Sequence, residues 1–189
     1  GPVNIQLPNI RRYFIPDPGY IICDVDLERA DAQVVAWEAD DTELMELFHS
    51  GADIHMENAK SIYGAAATSK HRHLAKSGVH ATNYLVQPRT LAATLGCTVK
   101  EAEQFQARWF GAHPKIKLWQ ERITQQVAET QTVSNRFGYH IRFFDRYDMR
   151  LVQQAIAWIP QSTVALVINK GWVKISKLPY LHVLLQVHD

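Results

Sequence analysis

Hydrophobic and polar positions divide the chain into a long helical middle between two short runs of strand character. Pro16-Asp17-Pro18-Gly19 is a turn signal, and the apolar run from Tyr20 to Val25 predicts a strand that ends at Asp26. Beyond Asp26 the period changes. Ala30, Val34 and Trp37 recur at helical spacing, and Val35 widens that face. Asp40-Asp41-Thr42 caps a second helix carrying Leu44, Met45, Leu47 and Phe48, and Ser50-Gly51 closes it. Asp53-Ile54-His55 opens a third, with Ala59, Ile62 and Tyr63 on one side and Gly64 at its end. Lys70 to Leu85 reads as a helix whose polar residues are mostly cationic. Thr98-Val99-Lys100-Glu101 has capping-box spacing and starts a helix through Phe105 and Trp109 that ends before Pro114. Another helix runs through Ile116, Trp119, Ile123 and Val127. From Thr132 to Phe144 the period shortens around Gly138, which predicts a hairpin. Leu151 to Ile175 is a long apolar helical stretch, expected to break at Pro160 and near Gly171, and Tyr180 to Val187 reads as a closing strand. Short strands around a large helical insertion predict an α+β protein.

A length of 189 residues accommodates one domain or two small ones. Hydrophobic residues at 47% and charged residues at 21% are ordinary for a soluble globular protein. A formal charge of +1 leaves no overall basic field to attract nucleic acid, so any phosphate contact must be local. Cations do cluster locally, at Arg11-Arg12, from Lys70 to Lys76, and from Arg136 to Arg150; such patches serve either as phosphate contacts or as plain solvated faces. Cys23 and Cys97 lie far apart without a C-x-x-C, as expected of a reduced intracellular protein lacking structural zinc. No signal peptide and no apolar run long enough to span a membrane is read, and Gly1-Pro2 reads as a scar of tag removal.

The candidate chemistry sits at the strand ends and on the cationic helix. Asp24 and Asp26 share a face if Tyr20 to Val25 is a strand, and the last strand closes on His188-Asp189. Two strand-end carboxylates plus a basic helical face are what two-metal phosphoryl transfer needs. A D-x-D pair alone also serves metal-dependent glycosyltransferases, so that reading stays open. Arg72 and Lys76 are one turn apart, and His80 and Tyr84 continue their stripe. Cations followed by rings suit a triphosphate, then a sugar and base; an exposed amphipathic helix is the competing reading. His71 and His73 point different ways on a helix, with no carboxylate or Cys at ligand spacing, which argues against a zinc site.

In order, these pieces resemble family A DNA polymerases, the class of bacterial DNA polymerase I and phage replicative polymerases. Asp26-Leu27-Glu28-Arg29-Ala30-Asp31 and the apolar residues after it resemble the first catalytic motif, and Asp53-Ile54-His55 matches the family's D-I-H. Arg72-x-x-x-Lys76-x-x-x-His80-Ala81-x-x-Tyr84 resembles its R-x-x-x-K-x-x-x-[F/Y]-G-x-x-Y. Leu91-Ala92, Glu101-Ala102, Phe110-x-x-x-Pro114, Phe137-Gly138 and Pro160-Gln161-Ser162-Thr163 follow at family intervals, and Val187-His188-Asp189 resembles the final motif.

The resemblance implies a small antiparallel palm sheet with a helical fingers insertion: palm at 1–36, fingers at 37–127, palm return at 128–189. Asp26 and Asp189 would be catalytic and would hold two Mg2+ ions, with Mn2+ as a substitute and the Leu27 carbonyl as a further ligand. Arg72, Lys76, His80, Tyr84, Asp31, Arg29 and His55 would bind the incoming dNTP. Gln161, His188 and Arg11 would contact DNA. The partners implied are primer-template DNA and dNTPs, with no membrane, a monomer, and a cytoplasmic location in a bacterial or phage-infected cell.

Departures from the family pattern refine these expectations. Asp31 stands for the Glu that crowds the ribose 2′ position, so weaker rejection of ribonucleotides is expected. His80 replaces Phe or Tyr, Ala81 replaces Gly, Glu28 and Arg29 replace Ser and Gln or Gly, and Ala157 replaces an Asn near the primer strand, as in a divergent branch. A thumb before Asn4, an exonuclease domain and the acid after Asp189 are not in the sequence. The expectation is therefore a palm-fingers core of a longer polymerase, weak or inactive alone, with a catalytically degenerate DNA-binding module as the alternative.

Overall fold

The structure is a computed structural model and describes residues 10–186. A single 3-10 turn at Ile10–Tyr13 is followed by extended chain. Then come α1 (Ala30–Glu38), α2 (Thr42–His49), α3 (Ile54–Tyr63), α4 (Ser69–Asn83), α5 (Pro88–Leu95), α6 (Val99–Ala112) and α7 (Pro114–Thr130). A short hairpin, β1 (Thr132–Ser134) and β2 (His140–Arg142), leads into α8 (Met149–Ile175).

Local chemistry sets most of these boundaries. The carboxylates of Asp41, Asp53 and Asp148 accept backbone N–H groups at the starts of α2, α3 and α8. Thr98 and Glu101 form the expected capping box on α6, and Thr68 forms one on α4 with His71 in the acidic residue's place. That assignment gives His71 a structural role. Pro88 and Pro114 start α5 and α7 at the position where a missing N–H does no harm.

The core gathers Trp109, Ile116, Trp119 and Leu91 with Val35 of α1 and Leu151, Val152, Ile156 and Ile159 of α8. Indole Nε1 of Trp109 donates to Oδ1 of Asn83 at 2.9 Å, and Nε2 of Gln120 donates to the carbonyls of Thr82 and Asn83 at 2.9 and 3.0 Å. The C-terminal end of α4 is therefore bolted to α6 and α7. Gly78 allows the close crossing: a Cβ there would lie 2.5 Å from Cζ of the buried Phe105. In the hairpin Val133 pairs with Ile141, and Oδ1 of Asn135 accepts the N–H groups of Phe137 and Tyr139.

Among the described residues the architecture is mostly helical with one small antiparallel sheet, and it corrects three expectations. First, residues 20–26 and the described part of the closing segment, 180–186, form no strand. They touch through the rings of Tyr20 and His182, 5.1 Å apart, but no ladder joins them. A strand's backbone is satisfied only by a neighbouring strand, and among the described residues neither segment has one. Second, α8 is continuous through Pro160 and Gly171. Ile156, Ile159, Pro160, Thr163 and Val164 are all buried, and that packing outweighs the roughly 3 kcal/mol an interior proline costs. Third, that continuity makes α8 long and apolar enough to cross a membrane by length and composition, contrary to the expectation that no such run exists; its first half nevertheless lies in the core. Helix α5 adds to the expected set, since eight residues beginning at Pro88 leave little periodicity to read.

Candidate nucleotide and metal site

Helices α3 and α4 pack against each other and set the site. The N-cap of α3, Asp53, uses Oδ1 to accept the N–H groups of His55 and Met56, each at 3.2 Å. Its other oxygen, Oδ2, accepts Nε of Arg72 from α4 at 2.6 Å. The guanidinium holds the Asp53 carboxyl below the usual carboxylate range, and the carboxylate raises Arg72 in return. Both side chains are well exposed, so water screens the pair and it orients more than it stabilises.

Three cations act on His55 electrostatically. Burial first, then the charges of Arg72, Lys76 and Arg29, hold its imidazole below the usual histidine range, with Asp53 opposing. Arg29 is the left-handed residue that precedes α1, with φ 56°, and it pairs with Glu28 beside it. Its neighbour Gln33 donates to the Glu28 carbonyl at 2.8 Å, which fixes the turn. Charges from two distant stretches of sequence thus bear on the imidazole near the start of α3.

At the other end of α4, the Tyr84 hydroxyl donates to Oδ2 of Asp31 on α1 at 2.9 Å. Burial, then the Asp31 charge and that bond, push the phenol well above its ordinary range, so it remains a donor. The His80 ring leans on Tyr84 with centroids 4.7 Å apart. Beside them opens a cleft of about 530 Å³, with His80, Tyr84 and Val86 on one side and Arg150, Gln153 and Ala157 of α8 on the other. Gln153 donates to the Leu85 carbonyl at 2.8 Å and ties the two walls together. Arg150 and Gln153 were not expected here; the only signal was a polar pair, Gln153-Gln154, inside an apolar run. Gln161 is exposed one turn beyond Ala157 on α8, away from the cationic cluster in sequence and helix.

Of the expected metal ligands, Asp26 and Leu27 lie exposed in extended chain. Asp189, His188 and the side chain of Arg11 lie outside the described residues. Among the described residues no three His, Cys, Asp or Glu side chains converge on one point. The donor chemistry does fit: a carboxylate and a backbone carbonyl at adjacent residues are hard oxygen ligands of the kind magnesium takes.

The sequence model for DNA polymerase family A matches residues 3–189. The chain belongs to DNA polymerase family A. It is 31% identical over 192 residues to a thermostable DNA polymerase I of Thermus filiformis, covering 95% of this chain and 23% of that protein. Against DNA polymerase I of Helicobacter pylori it is 27% identical, covering 95% and 21%, and against a DNA polymerase of Mycobacterium phage D29 it is 24% identical, covering 95% and 30%. The fold matches the POL domain of Pol1 from M. smegmatis, solved with DNA primer-template and dNTP, at TM-score 0.69 and 18% identity over 82% of this chain and 30% of that one. The chain therefore spans between a fifth and a third of the length of these relatives.

Proposed function

We propose that this chain forms palm and fingers elements of a DNA-directed DNA polymerase, which transfers a nucleotide from a dNTP to a primer 3′-hydroxyl. The observation that carries this reading is α4 itself: Arg72 is held by Asp53 of α3 at 2.6 Å, Lys76 lies one turn on, and the far end joins Tyr84 to Asp31. A triphosphate needs several cations within reach of its oxygens, and a sugar and base need flat apolar walls beyond them. α4 offers both in that order along one stripe.

Arg72 and Lys76 hold the triphosphate, with Arg29 and His55 beside them. His80 and Tyr84 face the sugar and base, and Asp31 stands at the 2′ side. The cleft toward α8 receives the template-primer end of the substrate, and Gln161 and His188 contact the primer strand. Asp26, Leu27 and Asp189 would hold a pair of magnesium ions, which when bound would acidify the primer hydroxyl and stabilise the pyrophosphate leaving group. Residues 1–36 and 128–189 act as palm and 37–127 as fingers. The packing of α1 against α8 supports joining the first and last of these segments. The working unit is a cytoplasmic monomer.

Primer extension on a primed template, with magnesium and four dNTPs, tests this reading beside Asp26→Ala. From a chain expected to be weak alone, any templated extension should vanish in the variant. Extension that survives Asp26→Ala would remove Asp26 from the chemistry.

A further inference from the structure

Asp53 does two things with one carboxylate. Oδ1 caps α3, and Oδ2 takes Nε of Arg72 across the gap to α4. Among the described residues Arg72 makes no other side-chain hydrogen bond, so its terminal Nη groups are left as a fork for a ligand. An arginine is long and rich in rotamers; with Nε tied down, the plane of its guanidinium is set before a phosphate arrives.

We propose that Asp53 is a positioning residue that aims the Arg72 fork at the triphosphate, a role that rests on the triphosphate reading of this cluster. Two effects of Asp53 oppose each other. Its negative charge lowers the local positive potential and so disfavours an anion. Its grip on Nε removes the disorder that the anion would otherwise have to overcome. The pair is exposed, so the charge effect is screened, and ordering wins.

The replacement Asp53→Asn separates capping from positioning. Asparagine caps helices as well as aspartate does, yet its second side-chain atom is an NH2 that cannot accept Nε. With Oδ1 on the α3 N–H groups, Arg72 is released. Isothermal titration of dATP with magnesium into the full chain is the measurement, run on the unaltered protein, Asp53→Asn, Asp53→Ala and Arg72→Ala, with melting curves on each. The expected result is a Kd about tenfold higher for Asp53→Asn, in the range that partners of ligand-binding side chains show. Its melting temperature should stay within about a degree of the unaltered chain, while Asp53→Ala melts lower. The loss should be confined to dATP, with dAMP binding unmoved. Unchanged or tighter dATP binding by Asp53→Asn, with Arg72→Ala still weakened, would overturn the positioning role and leave the triphosphate site standing. A fall in melting temperature equal to that of Asp53→Ala would assign the effect to the cap and overturn it too. Binding that ignores Arg72→Ala would sink the triphosphate reading and this role with it.

Discussion

The two halves of the proposed site are built by different physics. The nucleotide half lies on α3 and α4, where caps, a capping box and hydrogen bonds from Trp109 and Gln120 hold side chains in place. The metal half lies on residues 20–27 and on the closing segment, where Ile21 is 83% and Leu184 76% exposed and no ladder forms among the described residues. A helix satisfies its own backbone, so a helical site needs only its neighbours' side chains. A strand site needs another strand's backbone, and among the described residues no ladder supports Asp26. Arg72 and His55 are thus arranged already, whereas Asp26 is only available.

The strongest way to break this contrast is Trp109→Ala. Trp109 is fully buried and bonded to Asn83, so its loss leaves a large cavity and an unpaired amide oxygen at the end of α4. Destabilisation of about 3–5 kcal/mol is expected, read from urea denaturation. Hydrogen exchange should show α4 losing protection while residues 20–26 exchange as fast as before. Equal changes in both regions would mean that the extended segments share the helical core's stability after all.

The same contrast explains what the sequence made legible. Helix starts at Asp41, Asp53 and Thr98 could be read because their chemistry is local, contained within four residues. The strands expected at 20–25 and 180–187 do not form among the described residues, because apolar, β-branched composition expresses a preference that only pairing fulfils, and pairing is not local, whereas the hairpin at 132–144 forms as expected. Pro160 misled in the opposite way: a local breaker was overridden by burial on both sides of it. In the site, the Arg72-Lys76-His80-Tyr84 stripe was legible from spacing along one helix. The Asp53–Arg72 pair joins residues 19 apart and Tyr84–Asp31 joins residues 53 apart, and neither contact follows from any period.

A subtler change sharpens the nucleotide half. Asp31 is one methylene shorter than the family's glutamate, and its carboxylate is drawn toward Tyr84 rather than standing free. If Asp31 stands at the 2′ side as proposed, the space there is larger, and weak rejection of ribonucleotides is expected. Asp31→Glu should raise the preference for dATP over ATP by at least about tenfold, the scale of one methylene in a discriminating pocket. The ratio of kcat/KM for the two nucleotides in primer extension is the test. Strong rejection with Asp31 in place, unmoved by Asp31→Glu, would sink the idea.

The smallest effect is a proton at His55. Burial and three cations depress its pKa in the free protein, so the folded state resists charging it. Stability from this group is fully present above the unfolded histidine's pKa and is lost as pH falls through the lower, folded value. A triphosphate seated on Arg72 and Lys76 would cancel the repulsion and raise that pKa. Between the two values binding then takes up a proton, so affinity should increase as pH falls through the window. NMR titration of the His55 ring, with and without dATP, reads the shift directly. Arg72→Ala should raise the free-state value, since one of the depressing charges is gone, and should shrink the change on binding. A His55 pKa that ignores both nucleotide and Arg72→Ala would mean that burial alone sets it, and that the cations, though gathered, do not act on one ligand together.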